Sequence, residues 1–155
     1  MGSRLLLSSI LLLGLSSCVG PVETRVNSTG PGVGASTTIL QEALLVASTA
    51  AHARAAVIML LADKGFRETP TGDVQLHVAV AERDAAISVK TKSGDAVTDV
   101  AAAKAQKPLQ SCADREMRLA VTLTRIADGA ELYRGTASEY HCKAQMAEVL
   151  PALVT

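Results

Sequence analysis

The amino-acid sequence predicts an α+β domain in which an antiparallel sheet of about four strands carries one long N-terminal helix and a short C-terminal helix on one face. Two kinds of pattern lead to this fold class. A long apolar stretch without a helix breaker ends at a glycine, as helices commonly do. Three later segments alternate apolar and polar residues, which is the period of half-buried strands.

The long helix is predicted over residues 50–64, with Ser48 or the threonine after it as the N-cap. Its many alanines allow close approach to a sheet. Met59 and Leu60 lie off the main apolar face of this helix. We expect a core filled from two sides to cover them, rather than a partner surface.

The end of this helix is specified by Gly65. A left-handed glycine at this position makes Phe66 contact Leu61 in a Schellman cap. Gly72 follows in an ordinary turn after Pro70, so we expect Gly65 to tolerate a side chain less well than Gly72.

The sequence predicts some of the first strands clearly and leaves others ambiguous. Residues 74–80 alternate clearly and predict a half-buried strand, and a second strand begins near Ile87 and ends at residues 93–95. Residues 96–109 are rich in alanine and lysine and predict a solvated loop with at most a helical turn. Residues 37–46 fit either a first strand or the first turns of the long helix.

A hairpin is predicted from residues 117–124 and 130–138. A three-residue loop with Gly129 in the left-handed conformation gives it a consistent apolar face, whereas a two-residue turn mixes the faces. The expected cross-strand pairs are Leu123–Tyr133, Leu119–Ala137 and Arg125–Glu131.

The last predicted element is a short helix over residues 143–154. Pro151 has no N–H to donate to the carbonyl of Ala147. We therefore expect a kink or an early stop.

The first 17 residues have the form of an export signal. Arg4 provides a basic start, and the apolar run over residues 5–15 follows. As a helix these eleven residues rise about 16 Å, against a hydrocarbon core of about 30 Å, so the run is too short for a permanent transmembrane helix.

The stretch Leu15-Ser16-Ser17-Cys18 resembles a bacterial lipobox. The resemblance implies cleavage before Cys18, which then carries a diacylglyceryl thioether and an N-acyl chain such as palmitate. More than one chain is needed for stable anchoring. Ordinary cleavage nearby, leaving a free Cys18 thiol, is the alternative. Valine at position 19, in place of aspartate, implies the outer membrane, with the domain facing the periplasm.

Residues 18–36 predict a flexible tether, because glycines and prolines interrupt any periodicity. The run Gly30-Pro31-Gly32-Val33-Gly34 lacks the Lys-Ser/Thr ending of a phosphate-binding loop. The chain therefore divides into a signal peptide over 1–17, a tether over 18–36 and a single domain over 37–155.

Cys112 and Cys142 are predicted to form a disulfide. The hairpin register places them almost opposite each other, just beyond the last paired residues, and an exported domain lies in an oxidising compartment. Metal binding through Cys112, His141 and Cys142 is the competing hypothesis, but no ligand-pair spacing supports it.

Composition excludes some functions. The chain has 15 basic and 15 acidic residues, and removal of Arg4 with the signal peptide leaves 14 against 15, a formal charge of −1. A near-neutral chain offers no electrostatic surface for nucleic acid or anionic headgroups. The three aromatic residues, Phe66, Tyr133 and Tyr140, are too few for base stacking.

No catalytic constellation is evident. His52, His77 and His141 lie on unrelated elements, and nucleophile elbows, His-Glu-x-x-His and Cys-x-x-Cys motifs are missing. We expect no enzyme activity, no cofactor and no metal.

Two further segments carry a resemblance: Leu61-Ala62-Asp63-Lys64-Gly65-Phe66 and Leu132-Tyr133-Arg134-Gly135-Thr136-Ala137-Ser138. They are similar to a family of small bacterial outer-membrane lipoproteins with a domain of unknown function. In that family a helix ending in L-x-x-K-G-F/Y precedes an antiparallel meander, and a W/Y-R-G-x-A strand precedes the last helix. The resemblance covers roughly residues 50–155. The cysteine pair and the missing aromatic-rich first strand depart from it.

The resemblance implies no activity and supplies no catalytic residues. We expect a non-enzymatic, lipid-anchored envelope protein that binds a protein partner, as an accessory of an outer-membrane assembly or transport complex. The alternative is a carrier or binding module for a small apolar or lipid ligand, held between helix and sheet. Neither function involves nucleic acid.

Overall fold

The computed structural model describes residues 22–34, 37–41, 48–106, 108 and 110–155. The predicted signal peptide, Cys18 and residues 42–46 lie outside them. Within these ranges the chain forms eight strands and two helices: β1 Arg25–Thr29, β2 Thr38–Leu40, α1 Thr49–Asp63, β3 Arg67–Thr69, β4 Val74–Asp84, β5 Val89–Ser93, β6 Ala96–Ala101, β7 Arg115–Arg125, β8 Glu131–His141 and α2 Met146–Val154. Among the described helices, none combines the length and hydrophobicity needed to cross a bilayer.

The predicted fold class is wrong in its sheet. The structure is mostly β, with a mixed six-stranded sheet in the order β1-β8-β7-β4-β2-β3 and a separate two-stranded sheet of β5 and β6. Strands β1, β8, β7 and β4 run antiparallel, whereas β2 runs parallel to both β3 and β4. The helices are short, with 15 residues in α1 and nine in α2.

Strands β1, β3 and β6 are absent from the prediction, whereas β2 confirms the strand alternative for the described part of residues 37–46. Strand β1 lies inside the predicted tether, β2 and β3 have three residues each, and β6 lies where the sequence predicted a solvated loop. Three residues are too few to show a period of two. Such strands form because a neighbouring strand supplies their hydrogen-bond partners, and their own sequences carry little signal.

The hairpin register is confirmed. Leu123 pairs with Tyr133 and Leu119 with Ala137, and Gly129 has a φ of +69°. This register places the odd-numbered residues of β7, and those of β8 from Tyr133 onward, on the face that the helices cover.

The tip of the hairpin differs from the prediction. The Arg125 N–H donates to the Ala130 carbonyl at 2.8 Å, so four residues form the loop, and a β-bulge at Leu132 restores the register. The predicted Arg125–Glu131 pair is therefore wrong. Arg125 instead pairs with Asp128 at 2.9 Å within the loop.

Both ends of α1 follow the predicted capping. The Ser48 hydroxyl accepts a hydrogen bond from the Ala51 N–H at 3.2 Å. Gly65 has a φ of +92°, and the Phe66 N–H donates to the Leu61 carbonyl at 3.0 Å. These bonds form the Schellman cap that the sequence predicts.

The core lies between the helices and one face of the large sheet. Helix α1 packs mainly on β4, and α2 packs on β7 and β8. Helix α2 continues past Pro151 to Val154, so the predicted early stop does not occur. Its apolar face is buried against the sheet, which holds the last turn in place. The best-buried large side chains are Ile39, Leu76 and Met117.

Two polar contacts fix β2 in the sheet. The Thr38 hydroxyl and N–H both donate to Asp73 Oδ1, and the Thr38 hydroxyl holds the pKa of that carboxyl below its usual range. Arg54, buried on α1, donates to Glu68 Oε1 at 2.7 Å and to the Leu40 carbonyl at 3.3 Å. Helix α1 is thereby tied to β2 and β3.

Gly72 has no room for a side chain. A Cβ atom there would lie 2.2 Å from the Leu40 nitrogen and 2.3 Å from the Ile39 carbonyl carbon. Since these are backbone atoms, they cannot give way as a flexible side chain would. The expectation that Gly72 tolerates substitution better than Gly65 is not supported by this geometry, because close packing of β2 restricts Gly72.

The Cys112–Cys142 disulfide is confirmed, with the two Cα atoms 5.5 Å apart. It lies just beyond the last pair of the hairpin, Arg115 with His141. Because both thiols are in the bond, the competing metal hypothesis is not supported.

We predict that Gly72→Ala lowers the free energy of unfolding by about 2–4 kcal/mol, because the new methyl group displaces β2. Gly34→Ala is the matched control, since nothing lies within 4 Å of a Cβ there and it should change stability by no more than about 0.5 kcal/mol. Urea unfolding of both variants measures the difference. Equal midpoints would show that β2 does not pack against this turn.

We predict that reduction lowers the thermal midpoint by about 10 °C. The bond closes a loop with a sequence separation of 30 residues, which corresponds to about 3.7 kcal/mol in the loop-entropy model. The Cys112→Ser, Cys142→Ser double variant should melt like the reduced protein and be insensitive to reductant. An unchanged midpoint on reduction would contradict a stabilising role.

Candidate functional site

An apolar groove of about 680 Å³ opens on the helix-covered face of the large sheet. Helices α1 and α2 reach β4, β7 and β8, while β1 has its main contacts with β8 alone. The helices therefore leave the β8–β1 side of the sheet partly uncovered, and the groove occupies this space. Its apolar lining comes from both helices, the sheet and the loop after β1: Val26, Val33, Val57, Leu60, Leu61, Phe66, Leu119, Val121, Leu123, Tyr133, Gly135, Ala137, Ala152, Leu153 and Val154.

One wall of the groove is the C-terminal end of α1. The Schellman cap turns the chain so that Leu61, Lys64 and Phe66 all line the cavity. Leu60 lines it as well, whereas Met59 is 71% exposed. The expectation that a core filled from two sides covers both side chains is therefore wrong.

The floor of the groove is formed by β8. Tyr133, Gly135 and Ala137 are spaced two apart, so all three lie on the same face of the strand. A Cβ atom on Gly135 would lie 2.3 Å from the Tyr133 hydroxyl oxygen and 2.8 Å from its Cζ. The tyrosine ring therefore lies across the glycine and covers it, and the small side chain of Ala137 gives the groove its depth.

The groove carries little charge. Its described lining contains one basic side chain, Lys64, which is exposed, and no acidic side chain. The hydroxyls of Thr24, Thr136, Thr155 and Tyr133 supply the remaining polar side-chain groups. The arrangement suits a hydrocarbon chain in the groove with an anionic group beside Lys64.

A buried carboxylate lies next to this region. Glu139 is 4% exposed, accepts a hydrogen bond from the Thr24 hydroxyl, and lies 2.7 Å from His141 Nε2. These contacts hold the start of β1 against β8.

The remaining candidate residues do not form a site together. His52 is exposed on α1, and His77 is exposed on the sheet face opposite the helices. The described part of the chain brings no three His, Cys, Asp or Glu side chains into a metal-binding group. Cys112 and Cys142 do not line the groove.

The sequence suggested a ligand held between helix and sheet only as an alternative function, and none of the residues that line the groove was predicted as a site. The two segments that carry the family resemblance supply Leu61, Lys64 and Phe66 from the helix end, and Tyr133, Gly135 and Ala137 from β8. In the sequence, the first set is typical of a helix cap and the second of a strand. Only the tertiary packing shows that they face the same cavity.

No family model matches the chain, and no curated protein matches it. The solved structures that are similar include two of PelC and one of a PDZ domain protein. The PelC dodecamer from Paraburkholderia phytofirmans matches with a TM-score of 0.46 and 14% sequence identity, over 85% of this chain and 93% of PelC. A single-residue variant of the same PelC matches with a TM-score of 0.46 and 15% sequence identity, over 85% of this chain and 92% of the variant. A PDZ domain protein from Parabacteroides distasonis matches with a TM-score of 0.53 and 10% identity, over 84% of this chain and 34% of that protein. At these identities, the last likeness shows a shared fold alone.

Proposed function

We propose that this protein is a non-enzymatic, lipid-anchored envelope protein that binds the acyl chain of an anionic amphiphile in the groove between the helices and the sheet. One observation carries the proposal. Two segments far apart in sequence, the end of α1 and strand β8, converge on a single apolar groove with one lysine at its side.

The dimensions of the groove fit a small apolar ligand. Its volume of about 680 Å³ lies within the range of about 300–1,000 Å³ found for small-molecule sites. Each methylene buried there contributes about 0.8 kcal/mol. A fatty acid or a lysophospholipid could therefore bind through its chain, with the anionic group in solvent near the Lys64 ammonium.

The chemistry of the lining favours a hydrocarbon over a peptide. A peptide in the groove would bury backbone N–H and C=O groups, and the few polar side chains of the lining could not satisfy them. A hydrocarbon chain needs no hydrogen-bond partner. The groove thus supports the ligand-binding function more than the protein-binding accessory that the sequence first suggests.

The proposed anchor brings the groove close to a source of lipid. Thr24, which lines the groove, is six residues after Cys18. Six residues of extended chain span at most about 20 Å. An acyl group on Cys18 would therefore hold the groove near the surface of the outer membrane, on its periplasmic side.

We predict that Ala137→Leu weakens binding of a fluorescent long-chain fatty acid by about tenfold, because the larger side chain fills the floor of the groove. Ala79→Leu is the matched control, since Ala79 is exposed on the opposite face of the sheet. Cys18→Ser protein of mature size, which lacks both the signal peptide and the lipid attachment, avoids interference from detergent. Lys64→Gln should weaken fatty-acid binding by about two- to fivefold and leave fatty-alcohol binding unchanged, with Lys92→Gln as its control.

Unchanged binding in Ala137→Leu, with its fold intact by circular dichroism, would place the ligand elsewhere. An equal loss of acid and alcohol binding in Lys64→Gln would show that the lysine does not recognise the anionic group.

We predict separately that Cys18→Ser moves the protein out of the membrane fraction or leaves an uncleaved precursor. The acyl chains would supply the anchor, and serine cannot form the thioether. Fractionation and immunoblotting of cell envelopes measure the change. A serine variant that remains membrane-bound at mature size would refute the lipid anchor without affecting the groove.

A further inference from the structure

The β5–β6 hairpin stands apart from the rest of the fold. Its two strands pair with each other and, within the described residues, with no strand of the large sheet. Every residue from Val89 to Val100 is exposed, including three valines, which are 42%, 59% and 52% exposed at positions 89, 97 and 100. An isolated two-stranded hairpin with exposed valines is at best marginally stable in water.

The root of the hairpin is nevertheless fixed. Arg83 on β4 donates to the Ile87 carbonyl at 2.5 Å and to the Ala102 carbonyl at 3.3 Å, which lie on either side of the hairpin. The Arg83 Nε atom lies 2.5 Å from Oε2 of Glu116, which is buried on β7. The hairpin is therefore held at its base by the large sheet, while its strands extend free of it.

The charges of the two strands are segregated. Strand β5 carries Lys90 and Lys92 and no acidic residue, whereas β6 carries Asp99 and no basic residue, with Asp95 in the turn before it. Within the hairpin, Lys90 pairs with Asp99 at 3.6 Å. Each strand keeps a second edge that is open to further pairing.

This segregation of charge favours one way in which the strands of a second molecule could pair with the hairpin. Two β5 edges would bring lysines together, and lysine on an edge strand discourages pairing of like edges. A β5 edge beside a β6 edge places basic residues next to acidic ones. The register of the hairpin itself, continued to the next molecule, sets Lys90 of one copy beside Asp99 of another.

We propose that this hairpin is a self-association surface, on which β5 of one copy of the chain pairs with β6 of a second copy. The contact is head-to-tail, because each molecule offers a basic edge and an acidic edge. Added strands extend the two-stranded sheet, and the side chains of Val89, Val97 and Val100 gain neighbours that a single copy does not provide.

Charge reversal tests the pairing. One variant, Lys90→Glu with Lys92→Glu, has two acidic strands, and a second, Asp95→Lys with Asp99→Lys, has two basic strands. Sedimentation velocity of the full chain in a non-ionic detergent at low ionic strength measures association over a wide range of concentration. We expect the natural chain to associate, each variant alone to lose association, and an equimolar mixture of the two to regain it.

Arg67→Glu with Lys143→Glu is the charge-matched control, since both residues are exposed outside the hairpin and the net change equals that of the first variant. This control should associate like the natural chain. A natural chain that stays monomeric, or hairpin variants that associate as before, would overturn the proposal. Loss of association in both variants without recovery in the mixture would also overturn it, because head-to-tail pairing requires the mixture to assemble.

Discussion

The register of the β7–β8 hairpin is the constraint on which the rest of the structure depends. Because side chains alternate along a strand, a shift of one residue would move every side chain of β8 to the other face of the sheet. In the observed register, Tyr133 and Ala137 lie opposite Leu123 and Leu119, and the chain segments beyond the hairpin bring Cys112 to Cys142. The same alternation places Glu139 on the face where it accepts a hydrogen bond from the Thr24 hydroxyl, and this bond holds the start of β1 against β8.

The groove results from a mismatch between the width of the sheet and the size of the helices. A helix covers a width of about 10 Å, and adjacent strands are about 4.8 Å apart, so two short helices cover about four strands. The large sheet has six. At the β3 edge the buried Arg54 and its partners fill the space under α1, whereas on the β8–β1 side the small side chain of Ala137 leaves it open.

Features set by local chemistry could be predicted from the sequence. The Schellman cap requires only Gly65 and its neighbours, and the hairpin register follows from alternation together with the turn at Gly129. Other features depend on contacts between distant segments. Nothing near Gly72 in sequence shows that the backbone of Ile39 and Leu40 packs against it, and three-residue strands have no readable period. The groove belongs to this second group, because Phe66 and Tyr133 reveal a shared cavity only after folding.

The groove and the β5–β6 hairpin are two apolar surfaces that remain exposed when a single chain folds. Exposed apolar area forgoes about 25 cal/mol of stabilisation per Å², and covering either surface would recover part of that free energy. A ligand in the groove binds the folded chain alone, so it raises the free energy of unfolding as its concentration exceeds its dissociation constant. Pairing of hairpins acts in the same direction but depends on protein concentration, which a shared membrane surface increases by confining the copies to two dimensions. Anchoring through Cys18 would therefore favour occupation of both surfaces, one by a lipid chain and the other by a second copy.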